Sequence, residues 1–185
     1  MKYEKKLMFV MLWIIMLGLF LHVINNISDI TGAVTGVASV QVAGITSITL
    51  TTNNVNFGLV DPGGVYDTLD DFPFPFVIEN TGNVKANITI ARSANSTALF
   101  SGTGGGDDTL SFQFMPGIAE NDAYDTVCSP SNWTNVPGTT PVLAVCKLNH
   151  QTPKDSVQIE LMIVVPLDEP IGTKSETLNF IGYQA

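Results

Sequence analysis

The chain has 185 residues, room for one domain of ordinary size or one domain with an anchor. Hydrophobic residues make up 45% and charged residues only 14%, too apolar a mix for disorder throughout. Seventeen acidic residues against eight basic give a net charge of −9, which repels phosphate backbones and excludes nucleic acid as a partner. With two histidines and two cysteines there is no material for a Cys/His zinc cluster and almost none for histidine-based catalysis.

The basic flank Lys2, Lys5 and Lys6 precedes Leu7–Ile24, eighteen residues without a formal charge. As a helix this run rises about 27 Å at about 1.5 Å per residue, near the thickness of a bilayer core. Leu7, Trp13, Leu17 and Ile24 mark its length. The run is apolar on every face, so a membrane segment is expected, with the basic flank in the cytoplasm and the remainder exported. Two fates stay open. The run is longer than a typical signal core, which favours an anchor. Gly36-Val37-Ala38 is the first fair match to a cleavage site, and removal there would release the domain.

Residues 25–44 read as a spacer. Within it, Ala33–Ala43 is uncharged and strand-capable. Val34, Ala38, Val40 and Val42 share one parity and would enter one groove if the segment paired as a strand, either with its own domain or with a neighbour.

From residue 45 onward no long helix is written, and β-branched runs alternate with turn residues. Val37–Thr51 reads as strand-like, with a break near Gly44, and strands are expected at Val55–Val60, Phe76–Glu79 and Val84–Arg92. Further ones are expected at Leu110–Phe114, Pro141–Leu148, Ser156–Val165 and Glu176–Tyr183. In Phe72-Pro73-Phe74-Pro75-Phe76 an extended chain would put three rings on one face. Asn80-Thr81-Gly82-Asn83 between two strands predicts a hairpin. In Ser156–Val165, Val157, Ile159, Leu161, Ile163 and Val165 should face inward, with Gln158 and Glu160 outward. The pattern predicts an all-β domain, residues 45–185, built as an antiparallel β-sandwich of jelly-roll or immunoglobulin-like type.

Export would place four Asn-x-Ser/Thr sequons outside the cell, at Asn26, Asn87, Asn95 and Asn132. Asn87 falls on the wet side of its strand. An oxidising exterior would also allow one disulfide between Cys128 and Cys146, the alternative being two unrelated buried thiols. The acidic pairs Asp70-Asp71, Asp107-Asp108 and Asp168-Glu169 sit in turns and read as solvated loop charges. Calcium is the one cofactor to consider, through Asp67, Asp70 and Asp71, or through Glu120, Asp122 and Asp125, although neither set has EF-hand spacing. His150 stands alone in a loop, so no catalytic residue and no enzymatic activity is expected.

Val55-Asn-Phe-Gly-Leu-Val-Asp-Pro-Gly-Gly64, followed by Phe76-Val-Ile-Glu-Asn-Thr-Gly-Asn-Val-Lys-Ala-Asn-Ile-Thr-Ile90, resembles small archaeal cell-surface proteins with one membrane helix and one β-sandwich. The closing Val165-Pro-Leu-Asp-Glu-Pro-Ile-Gly-Thr173 and Leu178-Asn-Phe-Ile-Gly182 are similar to their final hairpin. More distantly, the layout resembles the TasA/camelysin-like group and archaeal bundling-pilus subunits. That resemblance implies a structural subunit of an extracellular filament or surface layer, assembled by strand donation between copies. No metal-protease motif accompanies it, and Lys5-Lys6 runs into Leu7 without the small residue of an archaeal pilin leader. The other expectation is a membrane-tethered module that binds glycan, cation or a partner protein through loops 61–72 and 101–109.

Overall fold

The computed structural model describes residues 2–25, 39–93, 98–105 and 110–185. They fall into two compact units, residues 1–42 and 43–185. In the first unit, Lys2–Asn25 forms helix α1. Trp13, Leu17 and every other side chain from Met8 to Leu19 are exposed. Leu7 and Ile24 belong to the helix, but their side chains lie outside the described residues. Among the described residues no helix is long and apolar enough to cross a membrane. The membrane span expected at Leu7–Ile24 is thus not found among the described residues.

The second unit is almost entirely β. Its strands are β1 (Ile48–Thr52), β2 (Val65–Asp67), β3 (Phe76–Asn80), β4 (Ala86–Arg92) and β5 (Phe112–Gly117). They continue as β6 (Thr134–Asn135), β7 (Val142–Leu148), β8 (Ser156–Val164) and β9 (Leu178–Gln184). One antiparallel sheet runs β1-β3-β8-β5-β6, with β2 pairing the far end of β8, and the other runs β7-β4-β9. Strand β8 is the spine of the larger sheet. It pairs β3 through Phe76↔Ile159 at one end, and β5 through Phe112↔Ile163 at the other. Its alternation is as expected: Val157, Ile159, Leu161, Ile163 and Val165 are all buried. They meet Ile88, Ile90, Val145 and Leu148 of the smaller sheet in one core, and Phe76 of β3 touches Phe180 of β9 edge to face at 5.5 Å. Burial of these side chains is the main stabilising contribution, roughly 1.5–3 kcal/mol each relative to exposure.

Five local expectations need correction. Asn80–Asn83 is not a hairpin, because β3 and β4 lie in different sheets. The turn pairs instead with the segment before β1: Thr81 N–H donates to Ser47 O and Asn83 N–H to Ile45 O, each at 3.0 Å. Buried Asn80 fixes the corner, its Nδ2 donating to Val84 O at 2.9 Å and Leu148 O at 3.1 Å. Next, Val55–Val60 is not a strand. Gly58 at φ 69° donates its N–H to Asn56 Oδ1, and this local turn breaks the extended run. Val55, Phe57 and Val60 still pack on the core.

The three phenylalanines do not share a face. Phe72 and Phe74 are exposed while Pro75 is buried. Phe76, by contrast, packs on the core. Finally, Glu160 points away from the core as expected but is only 4% exposed, because residues 67–71 cross over it. Among the described residues of the expected strand Val37–Thr51, regular strand begins only at Ile48.

Candidate functional site

A groove of about 770 Å³ opens at the end of the domain where β8 terminates. Its floor is core: Phe112 of β5 and Leu161 and Ile163 of β8, with Phe100 beside them. Its walls are two segments without regular structure, residues 54–60 and residues 169–176, and Leu178 at the start of β9 closes one side. A volume of this order suits a ligand or a short stretch of extended chain. Three apolar tips stand beside it in full water: Leu59, Leu167 and Ile171.

The wall, with Asp168 just before it, is fastened by two carboxylates to residues 101–103, the start of a Gly-rich loop. Glu169 Oε2 accepts the N–H groups of Ser101 at 2.9 Å and Gly102 at 2.6 Å, and its Oε1 accepts the Ser101 hydroxyl at 3.2 Å. Lys174 Nζ pairs with the same Oε1. Asp168 accepts the N–H of Thr103 at 2.8 Å and its hydroxyl at 2.6 Å. Burial pushes the Glu169 carboxyl up, but Lys174 and the N–H groups of Gly102 and Ser101 outweigh it and hold the group below its ordinary value. Hydrogen bonds from Thr103 lower Asp168 likewise. Gly102 is required here, since a Cβ would lie 2.7 Å from both Asp168 Oδ1 and Pro166 Cβ. Asp168-Glu169 is thus a fastening and not a pair of solvated loop charges.

The calcium candidates are not brought together. Among the described residues no group of three or more acidic, histidine or cysteine side chains could hold a metal ion. Asp67 and Asp70 each accept an N–H two residues on, at 3.1 Å, and Asp71 accepts Gln158 Nε2 at 3.2 Å. In the other set, Glu120 accepts the N–H groups of Asp155 and Ser156, while Asp122 and Asp125 pair with Lys154 and Lys147. Glu160 was the acidic residue that pattern alone did not single out. Thr68 holds it with a hydroxyl bond at 2.5 Å. Burial, opposed by that bond and aided by Asp71 and Asp67, raises its carboxyl above the ordinary value.

Cys128 and Cys146 form the expected disulfide, with Cα atoms 5.7 Å apart. Of the sequons, Asn132 is exposed and Asn87 half-buried, while Asn26 and Asn95 lie outside the described residues. Of the proposed donor residues, Val40 and Val42 are 90% and 77% exposed, and Val34 and Ala38 lie outside the described residues. Comparisons with protein-family models, with curated proteins and with solved structures found no match.

Proposed function

We propose that this is an exported structural protein of β-sandwich architecture, a subunit or decoration of an extracellular filament or surface layer, in which Ala33–Ala43 of one copy pairs with another. The observation that carries this reading is the groove. Core side chains floor it, yet its walls are unpaired segments, while the strand-capable Val40 and Val42 stand in water. An extended apolar segment in such a groove gains buried area for its alternate side chains, and gains main-chain hydrogen bonds where it meets a strand edge. The N-terminal helix serves export, and its retention or removal decides whether the chain stays at the membrane or enters a filament. The resemblance to bundling-pilus subunits supports the same assembly mode through the quoted motifs alone.

Negative-stain microscopy of the secreted or sheared fraction, with wild type beside Val40→Asp, tests the proposal. Filaments from wild type and none from a Val40→Asp chain of unchanged melting temperature are expected, because the variant would place a carboxylate in an apolar slot. Equal assembly by both would remove strand donation. The second reading, a membrane-tethered module for glycan, cation or partner protein, draws on the uniformly exposed apolar side chains Met8–Leu19. N-terminal sequencing separates the two: a mature start between Asn25 and Ala33 favours the filament, and retention of Met1 favours the tether.

A further inference from the structure

The two described sequons are held in opposite ways. Asn87-Ile88-Thr89 lies inside β4, the middle strand of its sheet, with β7 on one side and β9 on the other. Opposite Asn87 the β7 ladder is bulged: Ala86 pairs with Leu148 but Ile88 with Val145. Two residues of β7 therefore face one of β4, and one of them, Lys147, takes the left-handed φ of 53°. The backbone N–H this leaves over is taken by the Asn87 carboxamide: Lys147 N–H donates to Asn87 Oδ1 at 2.9 Å. The hydroxyl of Thr89 reaches the other neighbour, donating to Ile181 O at 3.4 Å. Both polar ends of this sequon are thus committed to flanking strands.

Asn132-Trp133-Thr134 has no such ties. Asn132 is exposed and precedes β6, a two-residue strand at the sheet edge. The bonds of its polar ends are local: Asn132 Nδ2 to Ser131 Oγ at 3.5 Å, and Thr134 Oγ1 to Asn132 O at 3.1 Å. Presenting it to an enzyme disturbs a two-residue edge strand, its two pairs with β5 and the Gln113 Nε2 bond to Asn135 Oδ1 at 3.1 Å. Presenting Asn87 means pulling the central strand out of two ladders.

We propose that Asn132 is an N-glycan acceptor of the folded protein and that Asn87 is a bulge-capping residue which the folded protein does not offer for modification. The inference rests on the export in the proposed function, since that is what brings the chain to a glycosyl donor. The donor is a polyprenyl-pyrophosphate-linked oligosaccharide. Asn132 Nδ2 attacks C1 of its first sugar, the C1–O bond breaks with its electron pair leaving on the pyrophosphate, and one Nδ2 proton passes to a carboxylate of the transferase.

The test uses the full, unglycosylated chain, folded and disulfide-intact, with a single-subunit oligosaccharyltransferase and a polyprenyl-pyrophosphate oligosaccharide, followed by peptide mass mapping. The folded chain should carry glycan at Asn132 with at least about tenfold higher occupancy than at Asn87, because an edge opens far more often than a central strand. The reduced, unfolded chain should accept at both sites, and folded Asn132→Gln should lose the Asn132 product without gaining one at Asn87. Comparable occupancy of the two sites in the folded chain would overturn the inference, as would an Asn132 left unmodified when folded. Donor and enzyme are supplied in the assay, so either failure leaves export standing, whereas a cytoplasmic location of the native protein would sink export and leave the ranking of the two asparagines intact.

Discussion

Gly102 donates its backbone N–H to Glu169 across 2.6 Å, and no other residue type fits at that point, because Asp168 Oδ1 and Pro166 Cβ occupy the space a side chain would need. Gly102→Ala should therefore detach the 169–176 wall of the groove, with Asp168, from residues 101–103. A loss of roughly 1–3 kcal/mol is expected from the forced backbone shift, read by urea unfolding. A variant as stable as wild type would mean that the two segments separate without cost.

The same fastening has a pH signature. Asp168 and Glu169 are both held below their ordinary values, so their contribution is complete above the unfolded carboxylate range and fades as pH falls through the lowered folded values. Thermal melts across the acid limb should show a shallower decline for the doubly substituted Asp168→Asn, Glu169→Gln than for wild type. Parallel curves would dissociate the acid limb from this contact.

Glu160 should behave in the opposite sense. Its folded value is raised, first by burial, so its neutral form is the one the fold favours. That contribution is present below the unfolded glutamate value and declines as pH rises through the folded one. Glu160→Gln keeps the shape without the charge, and its stability relative to wild type should grow as pH rises from acid to neutral. A constant difference across that range would refute the assignment.

Leu161 lies 3% exposed on the inner face of β8. Leu161→Asp buries an unpaired carboxylate at a cost on the order of several kcal/mol, comparable to the whole stability of such a domain. Circular dichroism should find the domain unfolded at room temperature. A soluble variant with wild-type melting would contradict the inward placement.

Asn87→Ala should cost about 1 kcal/mol, the worth of one hydrogen bond, while Asn87→Asp, which keeps an acceptor for Lys147 N–H, should recover most of it. Chemical denaturation of the two variants side by side measures the difference. If alanine and aspartate are equally stable, the carboxamide does not cap the bulge.

What could be read from residues alone was whatever depends on near neighbours. The inner face of β8 follows from strict alternation in Val157–Val165, and the cysteine pair was one of the two readings that two cysteines allow. The turn at Asn80–Asn83 was misread because turn residues report a change of direction and not the sheet the chain enters next; its partners, Ile45 and Ser47, lie far back in the sequence. Alternation placed Glu160 on the outer face, but it carries no information on what covers that face, here residues 67–71. The groove gathers residues from stretches far apart in the chain, from Asn54 to Leu178, and the fastening joins residues 101–103 to 168–169, a match that only the folded chain brings within reach.

The pairing of Ile45 and Ser47 with the turn at Asn83 and Thr81 also decides how the domain would carry a pull. A force entering at Ala43 along the direction of β1 meets those two backbone bonds and then the β1–β3 ladder, whose hydrogen bonds lie crosswise to the strands. Loaded in that direction they share the strain and must yield together. The same force applied sideways would open them one at a time, so the direction of tension sets the mechanical strength of this end of the domain.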